Sequence, residues 1–151
     1  MNALDIHFAT IDDLPSLCDL LAELFTLESD FQPDRARQLA GLKIILDNPA
    51  LGRLFVARVD GRMAGMANAL ITVSTAQGSR VLLLEDVILH QDFRGSGLGR
   101  RLVEHVLDWA AAEGMTRVTL LADRDNRPAL GFYQHLGFEI SNMTVLRRGL
   151  G

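Results

Sequence analysis

A mixed α/β domain is predicted by three observations. Apolar runs of strand length alternate with longer segments whose apolar residues recur at helical spacing. In the middle of the chain several strand-like runs follow one another, separated only by turn residues. A glycine-rich stretch at residues 94–99 then joins an apolar strand to an amphipathic helix. The first two features predict an early antiparallel sheet, and the third predicts parallel pairing around the glycines.

The elements follow in order. Residues 5–10 alternate as a first strand. Asp12 is placed to cap a helix with Pro15 in its first turn, in which Leu14, Leu17, Cys18, Leu21 and Leu24 form the apolar stripe. Residues 28–33 break the pattern as a loop. Asp34 then caps a second helix whose inner face is Leu39, Leu42, Ile45 and Leu46, and Asn48-Pro49 ends it. Residues 54–59 and 63–73 are strands around an Asp60-Gly61 hairpin turn. After Gln77-Gly78-Ser79, residues 81–89 form a dense apolar strand interrupted by Glu85-Asp86. Beyond the glycines, Leu98, Leu102, Val106, Trp109 and Ala110 mark a helix closed by Gly114. Residues 118–121 are a buried strand and 128–135 a short helix ended by Leu136-Gly137. Residues 138–140 and 143–146 read as two closing strands. The order β-α-α-β-β-β-α-β-α-β-β gives about seven strands, mostly antiparallel, flanked by about four helices. No repeat, low-complexity segment or linker divides it, so residues 1–151 are expected to form a single domain.

Composition narrows the functional classes. Of 151 residues, 48% are apolar and 23% charged, the balance of a globular chain rather than a disordered one. No apolar run is long enough to span a bilayer, and the N-terminal residues lack the pattern of a secretory signal, so no membrane association is expected. A formal net charge of −4 argues against a nucleic-acid partner. Cys18 is the single cysteine, which precludes an internal disulfide and fits a cytoplasmic location. It lies on an apolar helix face and reads as core. His7, His90, His105 and His135 lack metal-ligand spacing, so no metal is expected. Lys43 is the only lysine. Anion contacts must therefore come from arginines, and Arg94, Arg100, Arg101, Arg124 and Arg127 gather around the glycine stretch.

That stretch, Arg94-Gly95-Ser96-Gly97-Leu98-Gly99-Arg100, sits where a strand gives way to a helix. The first helical N–H groups have no internal partner, the helix dipole favours an anion there, and glycines let a ligand approach the backbone. A pyrophosphate suits such a site, with arginines supplying charge-assisted hydrogen bonds. A P-loop is excluded because Arg100 stands five positions after Gly95, where its second glycine belongs. A dinucleotide loop would follow its strand directly, whereas residues 90–94 intervene here. Asp123 ends the next strand as such a loop would require, but too little chain follows to complete a doubly wound sheet.

Arg94-x-x-Gly97-x-Gly99 resembles the Q/R-x-x-G-x-G/A signature of the GNAT acetyltransferase superfamily. Asn126, Pro128, Ala129, Phe132-Tyr133 and Leu136-Gly137-Phe138 resemble its later N-x-x-A-x-x-F-Y-x-x-x-G-F segment. The resemblance implies the GNAT acyltransferase fold, and acetyl-CoA as cosubstrate without a metal. The pantetheine arm of the coenzyme would lie along residues 87–89, with contacts from Val87, Ile88 and Leu89. The pyrophosphate would sit on the loop formed by Arg94, Gly95, Ser96, Gly97, Leu98, Gly99 and Arg100, with Asn126 touching the arm. The implied chemistry is attack of a primary amine on the thioester. Glu85, in an apolar strand, is the expected base, directly or through a water, with Asp86 as its rival; successive strand residues face opposite ways unless a bulge intervenes. Tyr133 matches the tyrosine that protonates the departing thiolate, and the Val87 N–H is placed to hold the oxyanion. His90 follows the strand and is a lesser candidate for cofactor or substrate contact.

The resemblance also assigns much of the acceptor wall to the two early helices and their connection. Glu23, Glu28, Asp30 and Asp34, with Phe25 and Phe31 interleaved, would suit an ammonium group. Glu28, Asp30 and Phe31 are the substrate-binding candidates, against the alternative of a solvated face. The acceptor is a small-molecule amine or a protein amine. The last strand, ending in Leu146-Arg147-Arg148, is a candidate for pairing in a homodimer. A non-catalytic acyl-CoA sensor on the same fold is the competing function, and a nucleotide-binding redox protein is disfavoured by the loop spacing.

Overall fold

The computed structural model describes residues 3–27 and 34–151, and the side chains of residues 24–27 fall outside it. Glu28, Asp30 and Phe31 therefore lie outside the described residues, as do the side chains of Leu24 and Phe25. Two compact units make up the chain, Met1–Leu121 and Ala122–Gly151.

The first unit is built on β1 (Leu4–Phe8), α1 (Leu14–Leu27), α2 (Arg35–Asp47), β2 (Gly52–Val59), β3 (Arg62–Ser74), β4 (Ser79–Leu89), α3 (Leu98–Ala112) and β5 (Val118–Leu120). The strands lie in the order β1-β2-β3-β4-β5. The first three pairings are antiparallel, and β4 pairs with β5 in parallel. The β2–β3 hairpin turns where the sequence predicts, with Asp60 at φ 50° and Gly61 at φ 82°. Both central residues of such a turn need positive φ, which Asp tolerates and Gly favours.

Each face of the sheet carries its own core. On one face Leu14, Leu17, Cys18, Leu20 and Leu21 of α1 and Leu42 of α2 pack with Leu54, Val56, Met66 and Ile88. Alternation turns Phe55 to the other face, where its ring meets Trp109 of α3 at 5.3 Å and Phe8 at 5.2 Å between centroids. Leu102, Val103 and Val106 of α3 are fully buried. Cys18 is 1% exposed, as its place on the apolar face implies.

Three local expectations are corrected. Asp12 does not cap the first helix. A short 3-10 turn, Ile11–Asp13, precedes α1, and the Thr10 N–H donates to Asp13 Oδ2 at 2.8 Å. Asp13 wins because it is buried, at 4% exposure, and paired with the Arg58 guanidinium from β2. Leu39 is exposed rather than part of the inner face of α2, which is carried by Leu42, Ile45 and Leu46. Asp34 does cap α2, accepting from the Arg37 N–H at 3.1 Å.

The third correction concerns the chain end. The sheet has five strands rather than about seven, and the described residues of the second unit contain no strand. That unit holds one helix, α4 (Arg127–His135). Its Asn126 cap accepts from the Ala129 N–H at 3.2 Å. At its far end the Phe138 N–H donates to the Tyr133 carbonyl at 3.0 Å, and Gly137 has φ 93°. The Phe138 amide is thus committed to the helix-ending turn and cannot enter a ladder. Residues 143–146 have apolar strand character, but alternation creates no strand without a partner backbone.

Close packing at the β2–β3 pair yields a stability prediction. A Cβ added at Gly52 would lie 2.5 Å from the Ala69 carbonyl oxygen and 3.2 Å from Leu70 Cα. Backbone cannot retreat cheaply, so Gly52→Ala is expected to destabilise the protein by about 1–3 kcal/mol. At Gly41, inside α2, a Cβ would meet nothing within 4 Å, and Gly41→Ala is expected to stabilise by about 0.5–1 kcal/mol. Thermal unfolding of the two variants should move Tm in opposite directions.

Candidate functional site

The site begins with a strand edge. β5 pairs only with Leu82–Leu84 of β4. Beyond that point, among the described residues of the first unit, the far side of β4 has no strand partner. Which backbone groups point outward follows from register. Leu89, Ile88, Val87 and Asp86 lie opposite Gly65, Met66, Ala67 and Asn68, and the His90 N–H donates to the Ala64 carbonyl at 2.8 Å. Hydrogen-bonded and non-bonded pairs alternate in an antiparallel ladder. Asp86 and Ile88 therefore turn their backbone groups toward β3, while Val87 and Leu89 turn theirs to the open edge. Ile88 also buries its side chain, at 3% exposure, so it supports the edge rather than forming it.

A β-bulge interrupts the same strand. Leu84 opposes Ala69 and Asp86 opposes Asn68. Neighbouring residues on β3 are thus matched by residues two apart on β4, and Glu85 is the extra one. Its side chain is exposed. Asp86 is half-buried and accepts from Asn68 Nδ2 at 3.4 Å. Asn68 is 7% exposed, and its Oδ1 finds no hydrogen-bond partner among the described residues. A lone polar residue within the apolar run Ala64–Ala69 is the sequence signal that marks it.

The open edge runs into the glycine loop. A 3-10 turn, Gln91–Phe93, follows β4, capped by His90 Nδ1, which accepts from the Asp92 N–H at 3.1 Å. His90 thus has a structural task. Ser96 Oγ donates to the Phe93 carbonyl and tightens the loop. Gly95 and Gly97 take φ 77° and 82°, and a Cβ at either would meet nothing within 4 Å. Gly97 is the N-cap of α3 and offers no side-chain cap. The N–H groups of Leu98, Gly99 and Arg100 are the helix's first, and the Arg101 N–H is the first to reach back, to the Gly97 carbonyl at 3.3 Å. Free helix-start amides with open space beside Gly95 and Gly97 suit a pyrophosphate, and the outward groups of Val87 and Leu89 suit an amide-bearing arm. The residues present therefore fit coenzyme A.

The arginines are arranged less simply than their number suggests. Arg100 pairs with Glu104 at 2.8 Å, one turn along α3. Arg94 turns back from the loop: its Nη2 lies 3.3 Å from Glu23 Oε1 of α1, and its Nε donates to the Leu89 carbonyl at 3.3 Å. Glu23 also accepts from the Gln91 N–H at 3.2 Å. Two of the four acids assigned to the acceptor wall thus have structural partners, Glu23 on the loop and Asp34 on Arg37. Glu23 and Arg94 are 71 positions apart, and nothing in the local sequence announces their contact.

Glu85, Asp86, Val87, Ile88, Leu89 and the glycine loop share the first unit; Asn126 and Tyr133 share the second. The Asn126 side chain serves as the α4 cap. Tyr133 stands between Phe132 and Phe138, with ring centroids at 5.0 and 5.7 Å. Burial alone pushes its phenol above the ordinary value of 10.0, because the phenolate would lose hydration. Tyr133 is the only tyrosine, so the phenolate absorbance band reads this one group. Its midpoint is expected above pH 10.0 in the folded protein and at the ordinary value after unfolding. The raised folded value means that this contribution to stability is complete below the ordinary value and is lost as pH rises through the folded one.

Among the described residues no group of three or more His, Cys, Asp and Glu side chains is placed to hold a metal ion, and no helix is long and apolar enough to cross a membrane. The sequence profile of the Acetyltransferase (GNAT) family matches residues 14–138. An N-acetyltransferase of Gracilaria tenuistipitata var. liui, ycf52, is 29% identical over 133 residues, 87% of this chain and 63% of that protein. Glucosamine 6-phosphate N-acetyltransferase of Trypanosoma brucei brucei is 26% identical over 137 residues, 89% of this chain and 88% of that protein. Among solved structures, the aminoglycoside N-acetyltransferase AAC(6')-Iy in complex with CoA shares the fold, with a TM-score of 0.83 at 24% identity over 99% of this chain and 96% of that one.

Proposed function

Because the chain belongs to the acetyltransferase (GNAT) family, we propose that it transfers an acetyl group from acetyl-CoA to a primary amine by direct attack on the thioester. One observation carries the reading: the outward backbone groups of Val87 and Leu89 lead into the glycine-lined N-terminus of α3. The CoA complex of the structural relative and the amino-sugar acceptor named for the trypanosome relative support acetyl-CoA and a small-molecule amine.

Acetyl-CoA supplies the thioester carbonyl; the chain's own residues bind, orient and move protons. The amides of residues 98–100 hold the pyrophosphate, and Val87 and Leu89 hold the arm. The Val87 N–H, turned to the open edge, is the donor for charge developing on the carbonyl oxygen. An aliphatic amine has a pKa near about 10.4 and arrives as an ammonium. Glu85, exposed at the bulge, takes its proton directly or through a water. Asp86 is less suited because its carboxylate is half-buried and engaged by Asn68. Tyr133 returns a proton to the leaving thiolate, and the burial that raises its pKa keeps it protonated and able to donate.

The test begins with thermal unfolding in acetyl-CoA, with NAD as control. At 100 times its dissociation constant a ligand stabilises by about 2.7 kcal/mol, which corresponds to a rise of roughly 5–10 °C for a chain of this size. No rise with acetyl-CoA would overturn the proposal. A rise is followed by thiol release across a panel of amines. Glu85→Gln and Tyr133→Phe are each expected to lower kcat by about 100-fold or more while leaving acetyl-CoA binding intact. Binding without thiol release would identify an acyl-CoA sensor instead.

A further inference from the structure

Glu23 reaches from α1 to a segment 68 to 71 positions further along the chain. One carboxylate oxygen accepts the Gln91 N–H at 3.2 Å and faces Arg94 Nη2 at 3.3 Å, while Arg94 Nε donates to the Leu89 carbonyl at 3.3 Å. The result is a continuous strut: helix α1, Glu23, Arg94, and the last carbonyl of the open edge of β4. Both side chains are partly withdrawn from water, Glu23 at 24% and Arg94 at 45% exposure.

We propose that Glu23 is a positioning residue for the acyl-CoA site, fixing the 90–97 loop and the Leu89 carbonyl through Gln91 and Arg94 before the ligand arrives. The proposal rests on the reading of this edge and loop as the acetyl-CoA site. Two opposed effects follow from a carboxylate so close to an anion-binding loop. As a charge, Glu23 repels a pyrophosphate and neutralises Arg94, so removing the charge should tighten binding. As a strut, it holds the loop's first amide and the Arg94 side chain in place, so losing its reach should weaken binding even with the charge retained. Two hydrogen bonds to one ionised oxygen favour the second, since charge-assisted bonds are the stronger kind and preorganisation removes the cost of ordering a loop.

Two substitutions separate these effects. Glu23→Asp keeps the charge and withdraws the carboxylate by one methylene. Glu23→Gln keeps the reach and an acceptor oxygen but removes the charge. Calorimetric titration with acetyl-CoA is expected to show wild-type binding, Glu23→Asp weakened by about 3- to 10-fold, and Glu23→Gln within about 2-fold of wild type. The unliganded Tm of both variants reports whether the fold is retained. Unchanged affinity in Glu23→Asp, or tighter binding by Glu23→Gln alone, would overturn the positioning role while leaving the acetyl-CoA site standing. Absence of binding by the wild-type chain would instead remove the functional reading, and this proposal with it.

Discussion

Valine at position 97 is expected to abolish the thermal response to acetyl-CoA and to lower thiol release by at least about 100-fold, while the chain still folds. Gly97 holds φ 82° and ψ 2°, the left-handed conformation, which a β-branched residue adopts at a cost of about 1–2 kcal/mol. That strain should lower the unliganded Tm by several degrees. It should do no more, because a Cβ there meets no protein atom within 4 Å. The same open space is what an anion needs to approach the amides of residues 98–100, and the valine methyls would occupy it. The two consequences are read in one experiment: Tm without ligand, and the shift on adding it. A retained shift in Gly97→Val would place the anion elsewhere.

The second large effect concerns stability. Asp13 is 4% exposed, paired with Arg58 across the first unit, and accepts the Thr10 N–H that begins the turn into α1. Burial raises its pKa, but the Thr10 hydrogen bond and the Arg58 guanidinium more than offset this, and the folded value lies below the ordinary 3.8. Asp13→Ala leaves Arg58 unpaired and Thr10 unsatisfied, and is expected to cost about 2–4 kcal/mol. The Arg58 side chain keeps 29% of its exposure, so the upper end of the usual range for buried pairs is not reached. A group whose folded pKa is depressed contributes stability that is present above its unfolded value and is lost as pH falls through the folded one. The wild-type chain should therefore lose this contribution below about pH 4, and Asp13→Asn should flatten that part of the acid limb. Urea unfolding from neutral pH down to about pH 3 would show it.

These two sites differ in how far sequence alone reveals them. The glycine loop is legible because its requirements are local: positive φ, free amides and a helix start all follow from residues within a few positions. The Asp60-Gly61 turn and the apolar stripe of α3 are legible for the same reason. Asp13 is not, since choosing it over Asp12 depends on Arg58, 45 positions away. Glu23 escapes in the same manner; its acidic character suggested a substrate contact, whereas its partners lie on the loop. The final strands fail for a further reason. Residues 138–140 and 143–146 carry strand propensity, but pairing is a property of two segments, and the Phe138 amide is already committed to the α4 turn. Glu28, Asp30 and Phe31 lie outside the described residues, so their part in the acceptor wall rests on the resemblance alone.

The extra residue at Glu85 also changes what counts as a small alteration. Leu82 and Leu84 lie on the face opposite Asp86 and Ile88, although all four numbers are even. β4 is in effect two half-strands of opposite phase with Glu85 as the splice. A side chain at the splice can be exchanged with little effect on packing, and even its removal can be absorbed in place, because its two neighbours already oppose consecutive residues of β3. Deleting position 85 would leave Leu84 and Asp86 adjacent and still opposite Ala69 and Asn68, so Leu82 and Leu84 would keep one face and Asp86 and Ile88 the other, and only the bulge would be lost. A gap at position 85 in aligning or redesigning such sequences is therefore neutral for both cores, whereas a gap elsewhere in β4 turns the residues between it and Glu85 to the wrong side.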